Sequence, residues 1–407
     1  MNGRAHARRY AVLLLVVVVL ATLAAALVNT RVDPWRVVGA PWADPSLDPH
    51  RDISAATRTG KAGLVRARND WQAAIFGSSR VISTLDPSAP GWAGAKVVNL
   101  GMPGAFLHEN LAMADYFLDR QNPATLVFGV DPGDLTSPID TRPMSDFRAS
   151  PLQAGGAIDR ELRYVVGLAT FEASMETLAL KRRNQPGEYN AYGLRDRPRR
   201  GGGGGGTGGK GQLEFITNRF IDDARVARPE TDRIDPDKAR KLEALMRRCR
   251  ERGVRLVLFL QPNHVLLRAR SAELGGAVVP FEADRRALVG MVERANAGEG
   301  GGPAVELWDF QSFHPFNRER VRPLEGRPNE LVHWRDLEHF TKDVGEAMLA
   351  TMMGWRIENP ALQGYGERID AASLEARLAG LREAYQAYLR EEAAGDVAWK
   401  EALTGGS

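Results

Sequence analysis

From Ala11 to Val28 the chain reads AVLLLVVVVLATLAAALV, with Thr22 as its only polar side chain. A helix over these residues would be about 27 Å long at roughly 1.5 Å per residue, close to the ~30 Å hydrocarbon core of a bilayer. No later stretch matches it. Arg4, Arg8 and Arg9 precede it, and basic flanks of this kind stay on the cytoplasmic side. Residues 1–10 therefore read as a cytoplasmic basic tail. Residues 11–28 read as a single-pass anchor in the inner (cytoplasmic) membrane, and everything after Val28 as periplasmic or extracellular. A cleaved signal peptide is the rival reading, because Ala24-Ala25-Ala26 offers small residues at a cleavage position. The apolar run is longer than the roughly 7–15 residues usual for such peptides, which favours the anchor.

Composition narrows the rest. The 407 residues are 43% hydrophobic and 26% charged, which excludes wholesale disorder, a collagen-like repeat and a polytopic membrane protein. Lys+Arg total 54 against Asp+Glu 51, so nothing suggests the clustered basic face of a nucleic-acid binder. Cys249 is the single cysteine. An intramolecular disulfide is impossible, and a Cys/His zinc site is not expected.

Residues 29–70, rich in Pro, Asp and Arg, read as an extended linker. Short apolar runs then alternate with longer amphipathic stretches. Strands are expected at Ala73–Phe76, Lys96–Leu100, Thr125–Val130, Val254–Leu260 and Ala304–Phe310. Helices are expected at Leu107–Leu118, Asp237–Arg252, Phe281–Ala295 and Lys342–Met353. Continuous apolar strands alternating with helices predict an α/β fold: a three-layer α/β/α domain over residues 71–360 with a five-stranded parallel sheet. An insertion at 135–235 breaks the rhythm. It holds a helical stretch near Arg160–Leu180 and a glycine-rich loop at 199–211, expected to be mobile. That loop lacks the Gly-Lys-Ser/Thr ending and preceding strand of a phosphate-binding loop. Residues 361–407 read as a C-terminal amphipathic helix, with Leu374, Leu378, Leu381 and Tyr385 at helical spacing.

The first strand runs into Gly77-Ser78-Ser79-Arg80, at the carboxyl edge of the sheet, where open α/β sheets bind ligands. A nucleophilic serine needs a base, and the base needs an orienting acid. Asp336-Leu337-Glu338-His339, just before the last expected helix, offers both at i, i+3 spacing. Taken singly, a Gly-Ser-Ser turn and a helix-capping aspartate would account for the same residues.

These blocks resemble the SGNH (GDSL-like) hydrolase superfamily, in particular its membrane-anchored branch that includes alginate and other exopolysaccharide O-acetylation proteins. The resemblance covers roughly residues 71–355, apart from the insertion. It implies Ser79 as nucleophile, from Gly77-Ser78-Ser79, and Asp336 and His339 as the rest of a catalytic triad. Asn99-Leu100-Gly101-Met102-Pro103-Gly104 matches the block in which the last glycine gives an oxyanion N–H, here Gly104. Asp131 stands where the family has an oxyanion asparagine. An ionised carboxylate accepts hydrogen bonds and repels an oxyanion. Either Asp131 is protonated, or it points elsewhere, or the hole has fewer donors; a lost donor typically costs ~10²–10³ in rate.

The resemblance implies an acyl-serine enzyme without a cofactor. Its substrate would be acylated cell-envelope or exported polysaccharide, its attachment the membrane, and a candidate partner an integral-membrane acyltransferase. The alternative is a catalytically impaired glycan-binding or assembly component with the same cleft. Arg80, Asn263 and His264 are candidate substrate-binding residues, with structural hydrogen bonding as the equal alternative for His264 and a surface or salt-bridge role for Arg80. His108, His314 and His333 have default structural or surface roles, and the histidines have no metal-site spacing. Cys249 reads as an inert core residue.

Overall fold

The alternation of short apolar runs with amphipathic ones becomes an alternation of strands and helices. The computed structural model describes residues 2–136, 145–197, 233–265, 282–298, 301–319 and 331–391. The glycine-rich run 199–211 lies outside them. Among these residues the helices, in chain order, are α1 (Asn2–Val32), α2 (Thr57–Arg66), α3 (Leu107–Leu118), α4 (Ser145–Ala149), α5 (Ala157–Val166), α6 (Leu168–Arg182), α7 (Pro236–Glu251), α8 (Glu282–Ala297), α9 (Lys342–Met353) and α10 (Leu374–Glu391). The strands are β1 (Ala73–Phe76), β2 (Val97–Asn99), β3 (Thr125–Val130), β4 (Arg255–Leu260), β5 (Glu306–Asp309) and β6 (Glu367–Arg368). They fall into two compact units, Met1–Asn69 with Met144–Arg197, and Asp70–Pro143 with Pro198–Ser407.

In the first unit, α1 contains a 27-residue span, His6–Val32, long and apolar enough to cross a membrane, with a mean hydropathy of 3.1 in its most apolar window. Its last carbonyl is not left bare: Arg51 donates from Nε (3.1 Å) and Nη2 (2.8 Å) to the Val32 carbonyl. That contact satisfies an orphan acceptor at the negative end of the helix dipole. Asp33 turns the chain by accepting the N–H groups of Val37 and Val38 on Oδ1 and of Gly39 on Oδ2. Residues 29–70 are thus not an extended linker. They hold two 3₁₀ turns and α2, whose residues Thr57–Val65 are all buried. The side-chain nitrogen of Lys61 is fully buried with them, bonded to the Gly193 carbonyl and 4.9 Å from the Tyr189 ring centre, and burial pulls its pKa well below the ordinary lysine value. The expected Arg160–Leu180 helix is two helices, broken at Gly167. There the backbone turns extended and folds back so closely that a Cβ would lie 2.3 Å from the Arg163 carbonyl oxygen.

The second unit is built on a sheet of order β2-β1-β3-β4-β5-β6. The first five strands pair in parallel. The sheet is six-stranded, not five-stranded, because Glu367 and Arg368 add an antiparallel edge beside Asp309 and Trp308. A two-residue, exposed strand has no apolar alternation to read. The strands pack from both sides. Ile75, Val127, Val257 and Phe259 join Val344, Met348 and Met352 of α9 in one core cluster. Phe76, pointing the opposite way by the two-residue period of a strand, packs edge-on against Phe117 of α3 with ring centres 5.9 Å apart.

The C-terminal segment is tied to this sheet by a buried charge. The Asp309 carboxylate, fully buried, accepts from Arg285 Nε of α8 at 2.9 Å and from Arg377 Nε of α10 at 3.1 Å. Removing the carboxylate leaves two guanidinium groups facing each other in the interior. Asp309→Ala is expected to destabilise the second unit by about 3–5 kcal/mol. The shift in the urea unfolding midpoint checks it, and an unchanged midpoint would mean that the pair contributes nothing.

Candidate functional site

Parallel register aligns the carboxyl ends of β1, β2, β3 and β4: Ala73 faces Val97 and Thr125, and Thr125 faces Arg255. The residues after these strands therefore share one edge. Beyond β1 the chain turns sharply, with the Val81 N–H donating to the Ser78 carbonyl at 3.2 Å. Ser78 and Arg80 are buried and Ser79 is half-buried. The loop after β2 is pinned to this turn. Asn99 Nδ2 donates to the carbonyls of Val81 (2.8 Å) and Leu85 (3.0 Å), while its Oδ1 accepts the Gly101 N–H at 3.0 Å. The Met102 N–H donates to the Gly77 carbonyl at 2.9 Å. The two loops touch because position 101 has no side chain; a Cβ there would sit 2.4 Å from Val81 Cγ2. Gly104 follows with φ +59, exposed, with open space where a Cβ would be.

The other half of the site comes from a small closed turn. Trp334 and Phe340, both fully buried, pair as an isolated antiparallel bridge. The Arg335 N–H donates to the His339 carbonyl at 2.7 Å, and the Thr341 N–H to the His333 carbonyl at 2.9 Å. Trp334 stacks on Phe316 with ring centres 5.6 Å apart, and its Nε1 donates to the Phe316 carbonyl at 2.8 Å. Inside the turn, Asp336 Oδ1 accepts the N–H groups of Glu338 and His339, each at 2.8 Å.

This framework brings three side chains into line across 260 residues of sequence. Ser79 Oγ lies 2.7 Å from His339 Nε2. His339 Nδ1 lies 2.8 and 3.0 Å from the two Asp336 oxygens. A carboxylate can only accept, so Nδ1 carries the proton and Nε2 is left to accept the Ser79 hydroxyl. Burial works to raise the Asp336 pKa. The His339 hydrogen bond and charge and the two backbone N–H donors outweigh it and hold the carboxyl below its ordinary value of 3.8. A candidate nucleophile, base and orienting acid are thus within hydrogen-bond reach of one another, the geometry that covalent acyl transfer requires.

The remaining candidates divide. Asp131 does not offer an oxyanion donor. Its Oδ1 accepts from Gln261 Nε2 at 2.7 Å and pairs with Arg80 Nη1 at 3.3 Å. Arg80 is thereby held beside Ser79 as a buried, counter-charged guanidinium. Asn263 is buried on the same edge, and its Oδ1 has no hydrogen-bond partner among the described residues. His264 is not at the disposal of a substrate. It is fully buried, its Nε2 lies 2.6 Å from the Glu319 carbonyl, and it packs edge-on to Trp334. Burial lowers its pKa to about 4, against the opposing effect of that carbonyl. His333 pairs with Asp343 at 3.0 Å, His314 caps a 3₁₀ turn, and His108 stacks on Phe106. Burial pushes the Cys249 thiol up to about 12. Among the described residues no cluster of His, Cys, Asp or Glu is arranged to hold a metal ion.

Two contributors were not singled out from the sequence. Gln261, the first residue past β4, fixes the Asp131 carboxylate; its position at the sheet edge is the signal that marks it. Asn99 acts as the clasp between two loops, and a buried asparagine ending a strand is the corresponding signal. Neighbouring Asp134 is a buried carboxyl whose pKa is pushed well above the usual range, by burial first and then by the charge of Asp131.

Because the native Asp336 pKa lies below its ordinary value, its ionisation stabilises the fold fully above pH 3.8. That contribution is lost as the pH falls through the lower native value. Unfolding midpoints measured down from about pH 5 should fall less steeply for Asp336→Asn than for the natural chain. Equal slopes would contradict this assignment of charge.

No protein-family model matches the chain, and no curated protein matches it in sequence. The chemistry assigned to Ser79, His339 and Asp336 rests on their geometry.

Proposed function

We propose that the chain is a serine esterase or O-acyltransferase of the SGNH type, acting on acetyl or other acyl esters of cell-envelope or exported polysaccharide. The observation that carries this reading is the 2.7 Å approach of Ser79 Oγ to His339 Nε2, with His339 Nδ1 held 2.8 Å from Asp336. The accompanying architecture is a three-layer α/β/α domain. Support for it comes from the packing of α9 against one side of the strands and of α3 against the other. In this reading α1 is an inner-membrane anchor with its basic end in the cytoplasm, and the α/β unit is periplasmic or extracellular. A tethered enzyme suits a polymer that emerges at the membrane, beside an integral-membrane acyl donor.

The mechanism follows from the geometry. Ser79 Oγ attacks the ester carbonyl carbon as His339 Nε2 takes the hydroxyl proton. Asp336 keeps the imidazole oriented and balances the charge that forms on it. The carbonyl oxygen becomes an oxyanion, for which the backbone N–H groups of Ser79 and Gly104 are the candidate donors. The C–O ester bond then breaks, His339 returns the proton to the leaving oxygen, and an acyl-Ser79 ester remains. A second oxygen nucleophile attacks that ester by the same steps in reverse. Water as acceptor makes an esterase, and a sugar hydroxyl makes a transferase. Arg80 and Asn263 line the same edge as contacts for the acceptor or polymer.

One observation favours a second reading. Asp131 accepts from Gln261 and is ion-paired with Arg80, so its position contributes no oxyanion donor. A glycan-binding or assembly component would tolerate that loss, which an enzyme would feel as ~10²–10³ in rate. Hydrolysis of p-nitrophenyl acetate, and acetyl transfer to oligosaccharide acceptors, separate the two. Under the enzymatic reading Ser79→Ala, His339→Ala and Asp336→Asn each lower the turnover by about 10⁴-fold or more. Natural-chain rates no higher than those of the variants, in both assays, would leave the binding component.

A further inference from the structure

Among the described residues outside α1, the large apolar side chains left exposed lie almost wholly in the first unit, Val332 being the exception. They are concentrated on α5 and α6. Ile158 is 88%, Leu162 57% and Leu168 71% exposed. Ile158 and Leu162 are four residues apart and share one face of α5. Asp159 and Arg163, ion-paired at 2.7 Å, turn a charged face away from them.

This pair of helices is fastened to the end of α1. Asn29 Nδ2 donates to the carbonyls of Val165 (3.0 Å) and Gly167 (3.3 Å), and Asn29 Oδ1 accepts from Ser174 Oγ at 3.2 Å. Beside it, Trp42 is 54% exposed, and its Nε1 donates to Thr30 Oγ1 at 3.2 Å. The helix between the exposed Tyr10 and Thr30 is about 30 Å long at roughly 1.5 Å per residue. That length matches the ~30 Å hydrocarbon core of a bilayer. When α1 spans, Thr30 and Asn29 stand at the far hydrocarbon boundary. The groups bonded to them stand at the headgroup level, where tryptophan side chains are enriched.

We propose that the apolar face of α5, Leu168 at the start of α6 and Trp42 together form an interfacial membrane-contact surface. It seats the first unit on the lipid into which α1 inserts. The occupant is lipid because Leu168 follows Gly167, whose carbonyl is bonded to Asn29 at the end of the exposed apolar helix, and the exposed Trp42 is bonded to Thr30 at that same end. The charges on α5 are balanced, Asp159 and Glu161 against Arg160 and Arg163, so apolar insertion and not anionic attraction drives the contact. Amphipathic helices in this position bury their apolar face about 5–10 Å into the headgroup and acyl boundary. The surface rests on α1 crossing the bilayer.

The test is made on the full chain, one copy per nanodisc of phosphatidylcholine with phosphatidylglycerol. A nitroxide is placed by Ile158→Cys, Leu162→Cys, Leu168→Cys, Asp159→Cys, Arg163→Cys or, as a reference inside α1, Leu15→Cys. The native Cys249 is buried and does not compete for label. The ratio of collisions with oxygen, which partitions into lipid, to collisions with a water-soluble nickel complex reads depth. The ratio at 158, 162 and 168 is expected to exceed that at 159 and 163 several-fold, and to rise and fall with the helical period. Nickel-dominated collisions at 158, 162 and 168 would place the patch in water and overturn the proposal. Low collision rates with both reagents would place it under protein and also overturn it. A water-exposed Leu15 label would remove the anchor and the surface together, an outcome distinct from loss of the surface alone.

Discussion

The burial of Trp334 and Phe340 on either side of one tight turn is the constraint on which the candidate active site depends. The turn carries Asp336 and His339, and neither would meet Ser79 if the turn were free to move. Burying a tryptophan removes about 150–250 Å² from water, roughly 4–6 kcal/mol at 25 cal/mol per Å². That apolar gain, with the stack on Phe316 and the Nε1 hydrogen bond, offsets the entropy of ordering the turn. His264 belongs to this same support. Its backbone N–H donates to the Leu337 carbonyl at 3.0 Å, and its ring packs against Trp334. Of the two roles open to this histidine, the structural one is what its contacts supply: it holds the floor beneath Asp336 and His339.

The nucleophile side is held by hydrogen bonds instead of aromatic bulk. Asn99 ties the strand-to-turn corner at Val81 and Leu85 to the loop that bears Gly101 and Gly104. The close approach works only because glycine occupies position 101. Next to Ser79, Arg80, Asp131 and Gln261 form a polar chain in which one carboxylate oxygen accepts from Gln261 and pairs with Arg80. This explains why an aspartate is compatible with the site without serving as an oxyanion donor. It also leaves the guanidinium of Arg80 as a fixed positive group one residue from Ser79.

Much of this was legible in the sequence, for identifiable reasons. The parallel strands β1, β3 and β4 are mostly runs of buried apolar residues, β2 and β5 carry apolar residues beside the polar Asn99, Glu306 and Asp309, and each strand lies within a residue or two of its expected place. Ser79 stands in a short motif just past the first of those runs, and Asp336 and His339 stand in another just before the last of the sheet-covering helices, so the three side chains that meet were nameable from their motifs. The failures have physical causes too. The segment 29–70 is rich in residues that favour loops, yet Arg51 and Asp33 supply internal partners that fold it onto α1. The helix expected over Arg160–Leu180 breaks at Gly167, which a count of apolar positions does not detect. The edge strand at Glu367 and Arg368 is too short to have a pattern. The roles of Asp131 and His264 depended on which neighbours they found, and no single-residue property reveals that.

The central claim is that Ser79 is the nucleophile of an acyl-enzyme, activated by His339. Intact-mass analysis of the full chain, quenched in acid within seconds of mixing with an activated acetyl ester, tests it most directly. The account predicts one added acetyl group, mapped by peptide sequencing to Ser79 in the natural chain and absent from His339→Ala. Acetylation spread over surface lysines, or a Ser79 adduct that forms equally well without His339, would contradict it.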